Sequence, residues 1–205
     1  MIRCVDGSGE DDCEASLTCL LRPIGIDEWS EVRHVHAAAL VRLTGAEPGT
    51  REHGACHAFV YDPDYTDDLM DEDLWGIWLD GRLAGTAGWR PADDRGSAAR
   101  ITSVYVDPLF ARLGLGRRLV EDAQRRAFAA GFRVFNTRAT ALSAAFFERL
   151  GYEISSYGVH ALSGDLGFPV VFMRRGDPVV PVRAREGATA GLNRRAPEPF
   201  APTDR

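Results

Sequence analysis

Gly114 and Gly116 stand where a β-branched run gives way to a helical pattern, and glycines in that place suit the binding of a phosphate. The run is Arg100-Ile101-Thr102-Ser103-Val104-Tyr105-Val106. Asp107-Pro108-Leu109-Phe110-Ala111-Arg112-Leu113-Gly114-Leu115-Gly116-Arg117-Arg118-Leu119 follows it. The first turn of a helix leaves backbone N–H groups without acceptors, and the helix dipole favours an anion there. Glycine lets a phosphate come close to the backbone. Arg112 and Arg117 sit where they could add charge. A dinucleotide fingerprint would need a third glycine at position 119, which is Leu119, and a tighter turn. A P-loop would need Gly-Lys-Ser/Thr, and the chain contains no lysine. On its own, a Gly-x-Gly is equally consistent with a loop that needs glycine only for its shape.

Other residues could do proton chemistry. His34, His36 and His57 are of the residue type suited to proton transfer near neutral pH, although His36 falls on the apolar face of a helical pattern and reads as a packed residue. Asp107 precedes a proline and reads as a turn former. The stretch from Asp62 to Asp73 is strongly acidic. It reads first as a solvated loop or irregular helix; as the rim of a site it would favour a cationic amine. Trp75, Trp78 and Trp89 read as hairpin core. Cys4, Cys13, Cys19 and Cys56 lack metal-ligand spacing and read as free thiols, three of them in an N-terminal tail.

The elements that would position these residues follow from periodicity. Leu21–Ile24 suits a short edge strand, where Pro23 is tolerated. Asp27 is placed to cap a helix carrying Trp29, Val32, His36, Ala39 and Leu40 at helical spacing. Two apolar runs, Leu74–Leu79 and Arg82–Trp89, flank Asp80-Gly81, the dipeptide of a type I′ hairpin turn. A long helix is predicted from Gly114 to Ala130. Leu115, Leu119, Ala123 and Ala127 form its stripe, Glu121–Arg125 and Asp122–Arg126 pairs lie opposite, and Gly131 forms the C-terminal stop. Phe132–Arg138 is the next strand, which completes a right-handed βαβ unit. A helix over 141–150 and strands near 152–156 and 170–173 close the pattern. The fold class is therefore α+β (mixed α/β), with an antiparallel N-terminal part and a central parallel βαβ. Residues 21–176 form the domain, between tails at 1–20 and 177–205.

Composition narrows the function. The formal net charge is −6, a balance that argues against nucleic-acid binding. No apolar run is long enough to span a bilayer, and no secretory leader is recognisable at the N-terminus, so the expected location is the cytoplasm without membrane association.

The stretch Val106-Asp107-Pro108 followed by Ala111-Arg112-Leu113-Gly114-Leu115-Gly116 resembles the phosphate-binding motif of the GNAT acetyltransferase superfamily, Gln/Arg-x-x-Gly-x-Gly/Ala. Ala111 holds the motif's first position and the arginine is displaced to Arg112. Phe146-Phe147-Glu148-Arg149-Leu150-Gly151-Tyr152 is similar to the family's late Phe-Tyr-Glu-Arg-Leu-Gly-Phe stretch. The likeness covers roughly residues 21–175. It implies a mixed sheet of about six to seven strands with helices on both faces. It also implies acetyl-CoA or coenzyme A as cosubstrate, no metal, and direct attack of an amine on the acyl thioester.

By the same likeness, Val104, Tyr105 and Val106 would face the pantetheine arm, and the backbone from Leu113 to Arg117 the pyrophosphate. Val104 or Val106 would supply an N–H to the developing oxyanion. The family's tyrosine acid falls on Phe147, which has no proton to give. Ser143, four residues earlier on the same helix face, and Tyr152 are the substitutes, with Tyr105 behind them. The base is a histidine named above or a water chain. The acceptor would be a small-molecule or peptide amine, and a homodimer is compatible with the likeness. The competing reading is an acyl-CoA-binding sensor or subunit with little transferase activity.

Overall fold

The computed structural model describes residues 18–93, 96, 98–163 and 165–176. The expected tails lie outside these residues except for positions 18–20, which join the fold. The Thr18 N–H donates to Asp80, and Cys19 is buried at the start of the first strand.

In chain order the elements are β1 (Cys19–Pro23), α1 (Trp29–Thr44), α2 (Arg51–Tyr61), α3 (Pro63–Met70), β2 (Trp75–Leu79), β3 (Arg82–Pro91), β4 (Ala99–Val106), α4 (Leu115–Ala129), β5 (Val134–Thr140), α5 (Ala144–Glu148), β6 (Glu153–Ser163) and β7 (Leu166–Gly176). The strands form one seven-stranded sheet in the order β1-β2-β3-β4-β5-β7-β6. Only β4 and β5 are parallel; the other neighbours are antiparallel. This is the mixed α+β sheet expected from the sequence.

Both sheet faces are covered. On one, α4 buries Leu115, Leu119, Val120, Ala123 and Ala127 against Ile77, Ala99, Ile101 and Met173. The i,i+4 stripe of small and branched side chains lets this helix lie close to the strands. On the other face, Val32 and Val35 of α1 pack on Leu74, Trp78 and Leu83. Further along, Ala37 and Leu40 pack with Cys56, Val60, Phe168 and Val170. The β2–β3 turn places Asp80 at φ 47° and Gly81 at φ 78°. Those angles fit the I′ geometry that the Asp-Gly pair favours.

Several local expectations are corrected. Asp27 lies within a short 3₁₀ turn and does not cap α1; Glu28 instead bonds the Gly25 N–H and Arg22. Of the two alternatives for the acidic stretch, loop or irregular helix, residues 63–70 take the helix: Asp62 caps α3 with Pro63 in its first turn, and before it Thr50 caps α2. Asp122 is not on the solvent face of α4 but buried. Its carboxylate pairs with Arg126 at 2.8 Å and with Arg125, and Arg126 goes on to Asp73 and lies 4.7 Å over the Trp75 ring. Glu121 faces Arg117 rather than Arg125. Helix α5 is shorter than 141–150, because Ser143 turns back on Thr140 with its N–H and hydroxyl. Strands β6 and β7 run well beyond the segments expected for them.

Candidate active site

A V-shaped opening is built into the sheet. Pairing between β4 and β5 consists of Ala99↔Phe135, Arg100↔Asn136 and Ile101↔Thr137 and then ends. Beyond Ile101, β4 keeps its partner β3 on one side and loses β5 on the other. β5 continues against β7. The edge of β4 from Thr102 to Val106 therefore borders a cleft of about 1350 Å³.

β4 is also kinked where it opens. Its register on β3 shifts between Thr86↔Tyr105 and Gly88↔Thr102. Ser103 takes φ 51°, a left-handed conformation that a serine adopts only at a cost.

At one end of the cleft stands the N-terminus of α4. Gly114 is its cap, at φ 80°, and no side chain supplies a capping hydrogen bond. Helix geometry leaves the N–H groups of Leu115, Gly116 and Arg117 without intrahelical acceptors. A Cβ on Gly114 would meet nothing within 4 Å. One on Gly116 would rest against Phe146 at 3.4 Å and Val106 at 3.7 Å. Arg112 also has positive φ, and it lines the cleft with Arg117. The uncapped amides, the open space and two arginines make a cradle that fits a pyrophosphate. Leu113 does not line the cleft; its side chain is exposed.

Val104, Tyr105, Val106, Gly114, Leu115 and Gly116 all line the cleft. Val104 and Val106 pack with the core under α4, whereas Tyr105 points to the face that carries α1. Ser143 also lines the cleft, with its hydroxyl 2.9 Å from Thr140 Oγ1. Phe147 is buried edge-on between Phe146 and Tyr152.

Tyr152 does not reach the cleft. Its hydroxyl accepts a hydrogen bond of 2.7 Å from Gln124 within the core, and burial pushes its pKa up to about 12. A phenol held there cannot hand a proton to a group in the cleft. His34 and His57 lie exposed, away from the cleft.

His36 is fully buried beneath the kink in β4. The Thr86 hydroxyl donates to the Ser103 carbonyl at 2.7 Å, so the His36 Nε2–H donates to Thr86 Oγ1, also at 2.7 Å. Nδ1 then accepts from the Tyr65 hydroxyl at 2.8 Å. Burial lowers the His36 pKa to about 3. A neutral imidazole with both nitrogens committed is a positioning residue: through Thr86 it holds the strained Ser103 carbonyl.

Glu72 is the carboxylate that sequence reasoning missed. It follows α3 and turns inward to line the cleft, where its Oε2 accepts from Ser103 Oγ at 2.6 Å. Burial raises its pKa, against the opposing effects of the Ser103 hydrogen bond and the nearby Arg90. A carboxylate held half-buried at the kink, with elevated proton affinity, has the properties of a general base. Next to it, the Thr102 hydroxyl is buried and, like Ser103, acts to lower the Glu72 pKa.

The rim is not acidic on balance. Of the carboxylates in the acidic stretch, only those of Asp68 and Glu72 line the cleft, whereas Arg90, Arg100 and Arg138 also do. Asp62 is spent on capping α3, and Asp73 faces Arg126. Among the described residues, no group of His, Cys, Asp and Glu could hold a metal ion, and no helix is long and apolar enough to cross a membrane.

Comparison with known proteins agrees with this geometry. Residues 38–152 match the model of the Acetyltransferase (GNAT) family. Among solved structures, a GCN5-related N-acetyltransferase from Rhodopseudomonas palustris is similar at 19% identity and TM-score 0.65, over 77% of this chain and 94% of that one. The PaiA N-acetyltransferase from Thermoplasma acidophilum, in complex with coenzyme A, is similar at 11% identity and TM-score 0.61, over 78% and 99%. A ribosomal-protein-alanine N-acetyltransferase from Brucella melitensis is similar at 15% identity and TM-score 0.55, over 77% and 99%. No curated protein matches the sequence.

Proposed function

Because the chain belongs to the acetyltransferase (GNAT) family, we propose that it transfers an acetyl group from acetyl-CoA to a primary amine, by direct attack in a ternary complex within the β4–β5 cleft. One observation carries the reading: an uncapped α4 N-terminus and an inward-turned carboxylate, Glu72, flank the stretch of β4 that has lost β5 as a partner.

The chain's own groups divide the work. The amides of Leu115, Gly116 and Arg117, with the Arg112 and Arg117 side chains, would hold the pyrophosphate. The free edge at Val104, Tyr105 and Val106 would take the pantetheine arm as an added strand. Bound there, acetyl-CoA supplies an activated thioester. Glu72 accepts a proton from the acceptor's ammonium, leaving a nitrogen lone pair able to attack the acyl carbon. An N–H of Val104 or Val106 stabilises the negative charge that develops on the acyl oxygen.

The C–N bond forms and the C–S bond breaks. The nitrogen loses its second proton, and the departing thiolate gains one, so the sum is amide, free CoA thiol and one released proton. Phe146 and Phe147 offer no proton. The Ser143 hydroxyl, at the start of α5 and on the cleft wall, is the group we assign to hydrogen-bond the departing thiolate, which takes up the proton that the nitrogen sheds, so that Ser143 itself stays protonated.

Acetyl-CoA-dependent thiol release, measured with a panel of primary amines and with mass spectrometry of the product, tests this reading. Thiol release stoichiometric with an acetylated amine supports it. Tight acetyl-CoA binding with no amine-dependent release would favour a sensor or binding subunit, the role that Phe147 at the usual acid position also allows.

A further inference from the structure

The acceptor half of the cleft carries a charge pattern that the transfer chemistry does not require. The seat of Glu72 is the rung Gly88↔Thr102 of β3 and β4: a Cβ on Gly88 would lie 2.8 Å from Glu72 Oε2 and 3.2 Å from Thr102 Oγ1. Two residues along each strand, on the same face, is the rung Arg90↔Arg100. At about 3.4 Å per residue the two rungs are about 7 Å apart. Arg100 in turn pairs with Asn136 across the parallel junction, so Arg138 lies two residues on and on the same face, across the opening from Thr102.

These guanidiniums act on one another. Arg100 and Arg90 both push the Arg138 pKa down, after burial itself. No carboxylate among the described residues lies within ion-pair distance of Arg100 or Arg138. Guanidiniums remain protonated at any working pH, so the wall keeps its positive charge. Arg90 has the Glu72 carboxylate nearby, but Arg100 and Arg138 repel one another across the empty cleft, and an anion placed between them relieves the repulsion. The planar, multi-donor fork of arginine also matches carboxylate and phosphate oxygens.

We propose that the acceptor is a primary amine that also bears a carboxylate or phosphate, the anionic group gripped by Arg100 and Arg138 while the amine faces Glu72. This rests on the acetyl-transfer reading above and gives its acceptor a chemical class. The amine and the anion would be separated by roughly one rung of the sheet, so a short aliphatic spacer fits between them. The buried Thr102 hydroxyl shares the Glu72 rung, at the amine end.

The test uses matched acceptors with the full-length protein. γ-Aminobutyrate is compared with its methyl ester, and phosphoethanolamine with ethanolamine, in the acetyl-CoA thiol-release assay. The anionic member of at least one pair should be favoured about 10- to 100-fold in kcat/KM, and Arg100→Gln and Arg138→Gln should erase that preference. The pair that shows the preference decides between carboxylate and phosphate. Thermal shift of the CoA-loaded protein covers the case in which none of these probes turns over. The anionic probes should still raise Tm for wild type and fail to do so for the two variants.

Equal use of charged and uncharged members, a preference that survives both substitutions, or no anion-dependent shift at all would overturn the proposal. Acetyl-CoA affinity, measured in parallel, separates the two levels. Wild type that fails to bind acetyl-CoA defeats the transfer reading itself, whereas normal binding with no anion preference defeats only this inference.

Discussion

Replacing Glu72 by Gln tests the proton-transfer step while leaving the fold almost untouched. Gln has the same shape and retains an oxygen that can accept from Ser103 Oγ, the 2.6 Å bond of the native carboxylate. Exchanging a charged acceptor for a neutral one weakens that bond by about 1 kcal/mol. Removing a carboxylate whose burial already raises its pKa offsets part of the loss. Tm should therefore move by only a few degrees, at about 2–4 °C per kcal/mol for a domain of this size.

Activity should respond much more strongly. A positioned general base contributes about 10²–10⁴-fold, equivalent to about 3–5 kcal/mol of barrier. The pH profile supplies a second readout. The base works only when ionised, so in wild type kcat/KM falls as pH drops through the raised pKa of Glu72, with Arg90 opposing and Asp68 assisting the elevation. The variant should lack that acidic limb. Acetyl-CoA-dependent thiol release at fixed amine, measured from pH 5 to 9 on both proteins, gives both numbers. A folded Glu72→Gln protein with more than half the native kcat/KM, or with the same acidic limb, would refute the assignment.

Two further perturbations address the frame around the site. His36 is held neutral, with its pKa lowered to about 3, whereas the unfolded chain protonates it near 6.5. The unfolded state then binds the extra proton, so stability is lost as pH falls from 6.5 toward 3, at up to about 1.4 kcal/mol per pH unit. Denaturant unfolding between pH 7 and 5 should show this slope, and His36→Gln should flatten it; an unchanged slope in the variant would contradict the account. Arg126→Ala leaves the buried Asp122 with Arg125 as its remaining ion-pair partner and removes the links to Asp73 and Trp75. The expected loss is about 3 kcal/mol, measured by denaturant unfolding, and a loss below about 1 kcal/mol would show that the cluster is not cooperative.

The sequence discloses most where a local rule and the tertiary fold agree. Asp80-Gly81 adopts the positive φ angles its residue types favour, and the α4 stripe packs as its spacing required. The Gly-x-Gly could be placed because a strand ends just before it and a helix begins at it.

What stayed hidden depends on contacts distant in sequence. Asp122 and Arg126 have the spacing of a solvent-facing pair, and only the arrival of Asp73 and Trp75 makes them an inner cluster. Asp62-Pro63 carries a helix-start signal that the surrounding acidic residues masked. Glu72 stands between two aspartates, and nothing local distinguishes the one carboxylate that turns toward Ser103. Tyr152 is a substitute donor in the sequence only because Phe147 has no proton to give, yet its hydroxyl is absorbed by Gln124. Arg100 and Arg138 become neighbours only through the parallel β4–β5 register.

Acetyl transfer in this cleft requires that the α4 cradle and the β4 edge hold acyl-CoA. Calorimetric titration of wild type and Gly116→Trp with acetyl-CoA asks this directly. A Cβ at position 116 meets only ordinary contacts with Phe146 and Val106, so the indole would occupy the cleft mouth without disturbing the core. Saturable binding by wild type, lost by at least about 100-fold in a variant that still unfolds cooperatively, is the predicted result. Failure of wild type to bind, or equal binding by a folded Gly116→Trp protein, would contradict the account.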